Sequence, residues 1–207
     1  DLESLRTAVT TRTRAVLLVS PNNPTGSFTT VEDLRAVTAL CHEHGLALIA
    51  DEVFGVYPHT AAARGPSVLD EPAETLTFVL GGLSKAVGLP QLKLSWTVVD
   101  GPENFVRESL DRLSLICDTY LSVSTPVQRA VGDLLDRGSE VTIQIATRVR
   151  DNYARLQRLA RQQPATTLLP TEGGWYAVVQ VPSTKSEEAL TLKLLEDERI
   201  LVYPGYF

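Results

Sequence analysis

Five apolar residues without a polar break, AVLLV at 15–19, open the hydrophobic pattern of the chain. An uninterrupted run of this length marks a strand buried on both faces. It leads into SPNNPTG, where two prolines and two asparagines cannot continue a ladder and so place a turn at the strand exit. The period then changes. In TVEDLRAVTALCHEHG (30–45), Thr30 stands three residues before Asp33 in a capping pattern. Leu34, Val37, Ala39, Leu40 and Cys41 form an apolar stripe, and Gly45 closes the helix. Three further strands follow: LALIA (46–50), TLTFVL (75–80) and LSWTVV (94–99). Strand, helix, strand in this order predicts an α/β fold with a mainly parallel sheet flanked by helices. The 81–93 connection is too short for a crossover helix, so the fourth strand is expected to run antiparallel beside the third.

From residue 102 the pattern turns helical. Segments 102–120, 125–138 and 139–164 each carry heptad-like apolar spacing, and the third is long enough to bridge two domains. TTLLP, GWYAVVQVP, a helix over SEEALTLKLLEDE and a short strand ILVY (200–203) then read as a small α+β portion. The expected division is 1–138 for part of a large domain, then 139–207 for an inter-domain helix and part of a small C-terminal domain.

Bulk properties narrow the function classes. A net charge of −6 with scattered signs offers no basic face for nucleic acid or an anionic membrane. Apolar runs stop at about five or six residues, against the roughly 20 that span a bilayer. Cys41 and Cys117 have no CxxC spacing, which argues against zinc or a disulfide framework and points to a reducing cytoplasm. His42 and His44, two apart on one helix, make a poor metal pair, and His59 stands alone in a loop. The chain has no Met and stops at ILVYPGYF, an apolar segment with nothing after it to cover it. An internal portion of a longer protein is the expectation.

Chemistry concentrates where strands end. Ligands of open α/β sheets bind at the carboxyl ends of strands. The first strand delivers Asn23, the second Asp51 in LIADEVF, and the third Lys85 in GGLSKAVGL. Taken singly, each has an ordinary explanation. Lys85 reads as a surface lysine at a helix start, Asp51 as a cap or half of an ion pair, and Asn23 as a turn former before proline. Glu52 competes with Asp51 for either role. Together they bring an amide, an acid and an amine to one edge of one sheet, with the lysine after a Gly-Gly-Leu-Ser turn where it can be partly desolvated, as a Schiff-base lysine requires.

The order Asn-Pro-Thr-Gly, Asp-Glu-Val-Phe, Ser-Lys resembles the class I/II aminotransferases, pyridoxal 5'-phosphate enzymes of fold type I. GGWYAVVQVP and ILVYPGYF are similar to small-domain segments of the same family, so the resemblance covers nearly the whole chain. It implies a Schiff base on Lys85, which would also shuttle the substrate Cα proton. Asp51 would pair with the pyridine nitrogen, Asn23 would donate to the ring's 3′ oxygen, and Ser84 and Lys93 would hold the phosphate. Trp175 and Tyr176 would belong to the small-domain strand near the substrate, or be simple core aromatics. An amino acid and a 2-oxo acid are the implied substrates, and a homodimer with its site at the subunit boundary the implied assembly.

The chain also departs from the pattern. Lys93 stands where the family often has Arg, and so binds as a point charge without a bidentate fork. Phe54 replaces a frequent Tyr, leaving one bond to the ring oxygen unmade unless Tyr57 or a water supplies it. Gly82 replaces a phosphate-binding Ser. The family's upstream phosphate cradle and downstream carboxylate-binding arginine have no counterparts, so this polypeptide alone is expected to show little or no transamination. Other chemistry on the same scaffold, C–S β-lysis or decarboxylation, shares these residues. A sensor domain of a transcription regulator would need a DNA-binding module ahead of Asp1.

Overall fold

A computed structural model describes residues 1–72, 74–120 and 122–206. Phe207, the last residue of the aromatic end, lies outside the described residues. A short helix α1 (Leu2–Ala8), not foreseen from the pattern, comes first. The Asp1 carboxylate accepts the N–H groups of Glu3 and Ser4, and Leu2 and Leu5 pack on the core.

Four strands form the sheet in the order β1 (Ala15–Val19), β2 (Ala47–Asp51), β3 (Thr77–Gly82) and β4 (Ser95–Asp100). The first three are parallel, and β4 runs antiparallel to β3 with Gly81 opposite Trp96. The α/β architecture and the reversal at the fourth strand are those expected. One detail differs: β1 is an edge strand here, and Leu17 on it is 66% exposed rather than buried. The run is apolar on both sides, but among the described residues only one side is covered.

Helix α2 (Val31–His44) is built as its sequence directs. Thr30 Oγ1 accepts the Asp33 N–H at 3.0 Å, a cap worth about 1 kcal/mol. Gly45 adopts the left-handed conformation that ends the helix, its N–H returning to the Cys41 and His42 carbonyls. Leu34, Val37 and Cys41 join Leu46, Leu48, Ala50, Val68 and Val79 in the main core. Ala39 is exposed instead. Five residues past Leu34 it sits about 140° around the helix, off the buried stripe.

A four-residue helix α3 (Leu83–Ala86) follows β3 directly, and α4 (Glu103–Thr119) follows β4. The two helices expected over 125–138 and 139–164 are one, α5 (Thr125–Arg161), running unbroken through Gly138. That glycine serves contact rather than termination. A Cβ there would lie 2.3 Å from Cγ1 of Val87, so its absence lets α5 lie against the residues after α3. Val127, Val131 and Leu134 complete that contact as a second cluster with Leu83, Val87 and Leu94.

The C-terminal portion is thinner in regular structure than its pattern suggests. β5 (Thr167–Leu168) and β6 (Val179–Gln180) are two-residue strands, and α6 (Glu187–Glu198) is capped by Ser186. Residues 200–203 form no strand, and Ile200 to Tyr203 are exposed. No helix among the described residues is long and apolar enough to cross a membrane.

Candidate functional site

The turn after β1 divides its two asparagines between two tasks. Asn22 builds the turn: its side-chain oxygen accepts the Thr25 hydroxyl at 2.9 Å and its carbonyl accepts the Gly26 N–H at 2.7 Å. Asn23 is exposed, and its amide has no hydrogen-bond partner among the described residues. Gly26 is required twice over. Its φ is +71°, and a Cβ would overlap the Thr171 hydroxyl at 1.7 Å.

Asp51 ends β2 in register with Val19 of β1 and Leu80 of β3, so it stands at the centre of the parallel strands' carboxyl edge. One carboxylate oxygen accepts the Val53 N–H at 3.1 Å; no ion pair engages the group among the described residues. Its competitor is occupied elsewhere. Glu52 accepts the Ser67 hydroxyl at 2.7 Å and the Val68 N–H at 2.8 Å, bracing a 3-10 turn over Val68–Asp70. Geometry thus separates two acids that adjacency in sequence left equivalent.

Lys85 lies in α3, five residues past Leu80. Its Nζ is 5.0 Å from the Trp175 ring centroid and 5.3 Å from that of Phe54, with no carboxylate partner among the described residues. Both rings lie within cation–π range. Phe54 meets Trp175 edge-on at 5.3 Å and Tyr176 at 6.0 Å. Trp175 and Tyr176 therefore face this site, although they precede β6 instead of lying on it. The Trp175 indole N–H is buried without a partner among the described residues.

Segment 171–174 holds Trp175 there by clamping both loops. Glu172 and Gly173 donate their N–H groups to the Gly26 carbonyl at 3.0 and 2.9 Å, and Glu172 accepts the Phe28 N–H at 2.8 Å. Gly174 donates to the Tyr57 carbonyl at 3.0 Å.

Tyr57 does not take the part left open for it. Its hydroxyl donates to the Lys85 carbonyl at 2.5 Å, and burial pushes its phenol pKa up, which keeps that proton in place. Ser84 is half-buried, and its hydroxyl has no hydrogen-bond partner among the described residues. Lys93 is exposed at the end of the 3-10 turn Pro90–Leu92, with a left-handed φ of 52°. No hydrogen bond joins Lys93 to Ser84 or Lys85 among the described residues. Gly82 packs 3.2 Å from the Leu94 carbonyl oxygen and from Ser95 Cβ, measured from where a Cβ would sit, so a serine there would crowd β4. His59, a lone loop residue in sequence, stacks on Tyr153 at 4.8 Å, and both its ring nitrogens are buried without partners among the described residues. No local signal marks it, because Tyr153 lies on α5.

The model of the family described as aminotransferase class I and II matches residues 1–207. The chain belongs to that aminotransferase family. Glutamate-pyruvate aminotransferase AlaA of Haemophilus influenzae is 25% identical over 99% of this chain and 52% of its own length. A crystal structure of an aminotransferase from Escherichia coli superposes with a TM-score of 0.84 at 22% identity, covering 97% of this chain and 51% of that one. A PLP-dependent aminotransferase from Streptococcus suis gives 0.81 at 21%, covering 100% and 52%. These two likenesses bear on the fold alone, which is that of the aminotransferases. The chain spans about half the length of the relatives it matches.

Proposed function

We propose that this aminotransferase-family chain belongs to a pyridoxal 5'-phosphate-dependent enzyme that transfers an amine between an amino acid and a 2-oxo acid. The observation that carries this reading is a set of side chains left without protein partners at one sheet edge. The Asn23 amide, the second oxygen of Asp51 and the Lys85 ammonium have no hydrogen-bond or ion-pair partner among the described residues, while both oxygens of Glu52 and the side-chain oxygen of Asn22 are engaged. A pyridinium ring bearing an aldehyde, an oxyanion and a phosphate calls for this donor set, so the residues present fit the group.

When bound, pyridoxal phosphate supplies an electron sink for charge developing at the substrate Cα. Lys85 would attach it covalently and then carry a proton at Cα. Asp51 would keep the ring nitrogen protonated through its negative charge, and Asn23 would orient the ring through its 3′ oxygen. Ser84 and Lys93 would meet the phosphate, Lys93 as a point charge. Phe54 and Trp175 flank the Lys85 amine and would limit the access of water to it on two sides. Residues 1–138 would then belong to a cofactor-binding domain and 139–207 to an inter-domain helix with part of a small domain, with α5 continuous across that boundary. A cytoplasmic homodimer completes the proposal.

Borohydride fixation of added pyridoxal phosphate, followed by peptide mapping, tests the site. Label is expected on Lys85, and label on another lysine overturns the assignment. For the reaction, the intact protein is supplied with an amino acid, with and without a 2-oxo acid. Keto product formed catalytically without any acceptor would mean a lyase rather than a transaminase.

A further inference from the structure

A helix leaves its last four carbonyls without intrahelical donors, and α3 consists of four residues. The carbonyl of Leu83 is served locally, by the N–H groups of Val87 and Leu89 at 3.3 and 3.1 Å. Those of Lys85 and Ala86 are served from a distance. The Tyr57 hydroxyl reaches the Lys85 carbonyl from the loop after β2, and the Thr142 hydroxyl reaches the Ala86 carbonyl from the middle of α5, each at 2.5 Å. Two consecutive peptide oxygens, beginning with that of Lys85, are thus each capped by a hydroxyl from a separate part of the fold.

The surroundings are arranged for this contact. Gly138 and Thr142 are one turn apart on the same face of α5. The missing side chain at 138 permits the approach to Val87, and the hydroxyl at 142 exploits it. Thr142 also lies 3.1 Å from the Gly138 carbonyl of its own helix, but a hydroxyl carries one proton and the shorter bond takes it. Tyr57 is 2% exposed, and its ring meets Trp175 edge-on at 5.1 Å. The same residue that holds the backbone of Lys85 therefore also supports one of the two rings beside its Nζ.

We infer that Tyr57 and Thr142 are positioning residues for Lys85, their hydroxyls fixing the backbone from which the amine projects. The inference rests on Lys85 being the cofactor-bearing amine. Neither residue touches the reacting atoms. Their effect is to hold a short helix that cannot hold itself, so that Nζ stays between Phe54 and Trp175.

The test uses the full chain as Tyr57→Phe, Thr142→Val and the double variant. Thr142→Ser serves as rescue. Thr119→Val removes an equivalent hydroxyl-to-carbonyl bond, to Leu115, on the exposed helix α4 and serves as control. The first readout is the rate of borohydride-fixed pyridoxal phosphate at Lys85, at a fixed interval below each protein's thermal midpoint. The double variant is expected to label about tenfold more slowly or worse, because displacements of an ångström have effects of that order. Thr142→Ser and Thr119→Val are expected to match wild type.

The second readout needs no cofactor: trace acetylation of Lys85 against the exposed Lys185. The double variant is expected to raise that ratio several-fold as the amine leaves its aromatic flanks. Lowered thermal midpoints with labelling within twofold of wild type and an unchanged acetylation ratio would reduce both hydroxyls to ordinary fold contacts and overturn the proposal. Label on another lysine of the wild-type protein sinks the cofactor reading instead; there, and where no lysine labels, the acetylation ratio decides positioning by itself.

Discussion

The sheet with α2 and α3 and the region of α4, α6 and residues 200–206 both carry regularly placed apolar residues but differ in what they do with them. In the first, pattern and burial agree at β2 and over most of α2: Leu48 is fully buried, and Leu34, Val37 and Cys41 lie on the main core, whereas Leu17 on the edge strand and Ala39 stay exposed. In the second, helices form where their spacing says, yet α4 and α6 bury no residue among those described, and Leu115 is 68% exposed. Local periodicity and capping are enough to define a helix, because its hydrogen bonds join residues four apart. Burial is a property of a pair of surfaces. An amphipathic stripe states that a helix has a face, not what the face meets.

The largest expected effect breaks the comparison outright. Leu48→Ala should cost about 2–5 kcal/mol by denaturant midpoint, whereas Leu115→Ala should stay within about 0.5 kcal/mol. Equal losses would show that α4 is covered in solution and that the contrast is false.

Two glycines on α5 sharpen it within one helix. Gly138→Ala forces a methyl into Val87 and should destabilise by about 1–3 kcal/mol, less the helix-propensity gain. Gly132 has nothing within 4 Å of where a Cβ would sit, so Gly132→Ala should stabilise by up to about 1 kcal/mol. The same substitution six residues apart thus changes sign, readable as opposite shifts in thermal midpoint.

A smaller effect concerns His59. Burial first, and then the Arg150 charge, hold its pKa below the ordinary histidine value. The unfolded chain therefore takes up the proton first as pH falls below about 6.5, and stability drops until the lowered folded value is passed. His59→Phe keeps a ring stacked on Tyr153 and should flatten that part of the stability profile between pH 7 and 5.

The smallest is a count of thiols. Burial pushes Cys41 up to about 11, whereas Cys117 is exposed on α4. A thiol reagent at pH 8 should titrate one group in the folded chain and two after denaturation, since thiolate fraction and access both decide reactivity. Two fast groups in the folded chain would place Cys41 outside the core.

Much of the site could be anticipated because its groups sit at strand ends, which apolar runs and turn residues locate to within two residues. The choice between Asp51 and Glu52 could not, since it depends on Ser67 and Val68 folding back onto one of them. Nor could the use of Tyr57, which in sequence is a loop aromatic and in space a cap for Lys85. The helix break placed at Gly138 shows the same limit. Glycine beside serine reads as punctuation, but the residue is kept small by Val87, which lies on a different element.

By itself the sequence determined the order and kind of the main elements, the reversal at β4 and the caps of α2, all of which follow from bonds between near neighbours or from connection length. Only the tertiary structure decided which acid stays free, which rings flank the lysine and what holds its backbone. The two bonds that hold its backbone join residues 28 and 56 positions apart. A hydroxyl carries no mark of which distant carbonyl it will reach until the chain between them has folded.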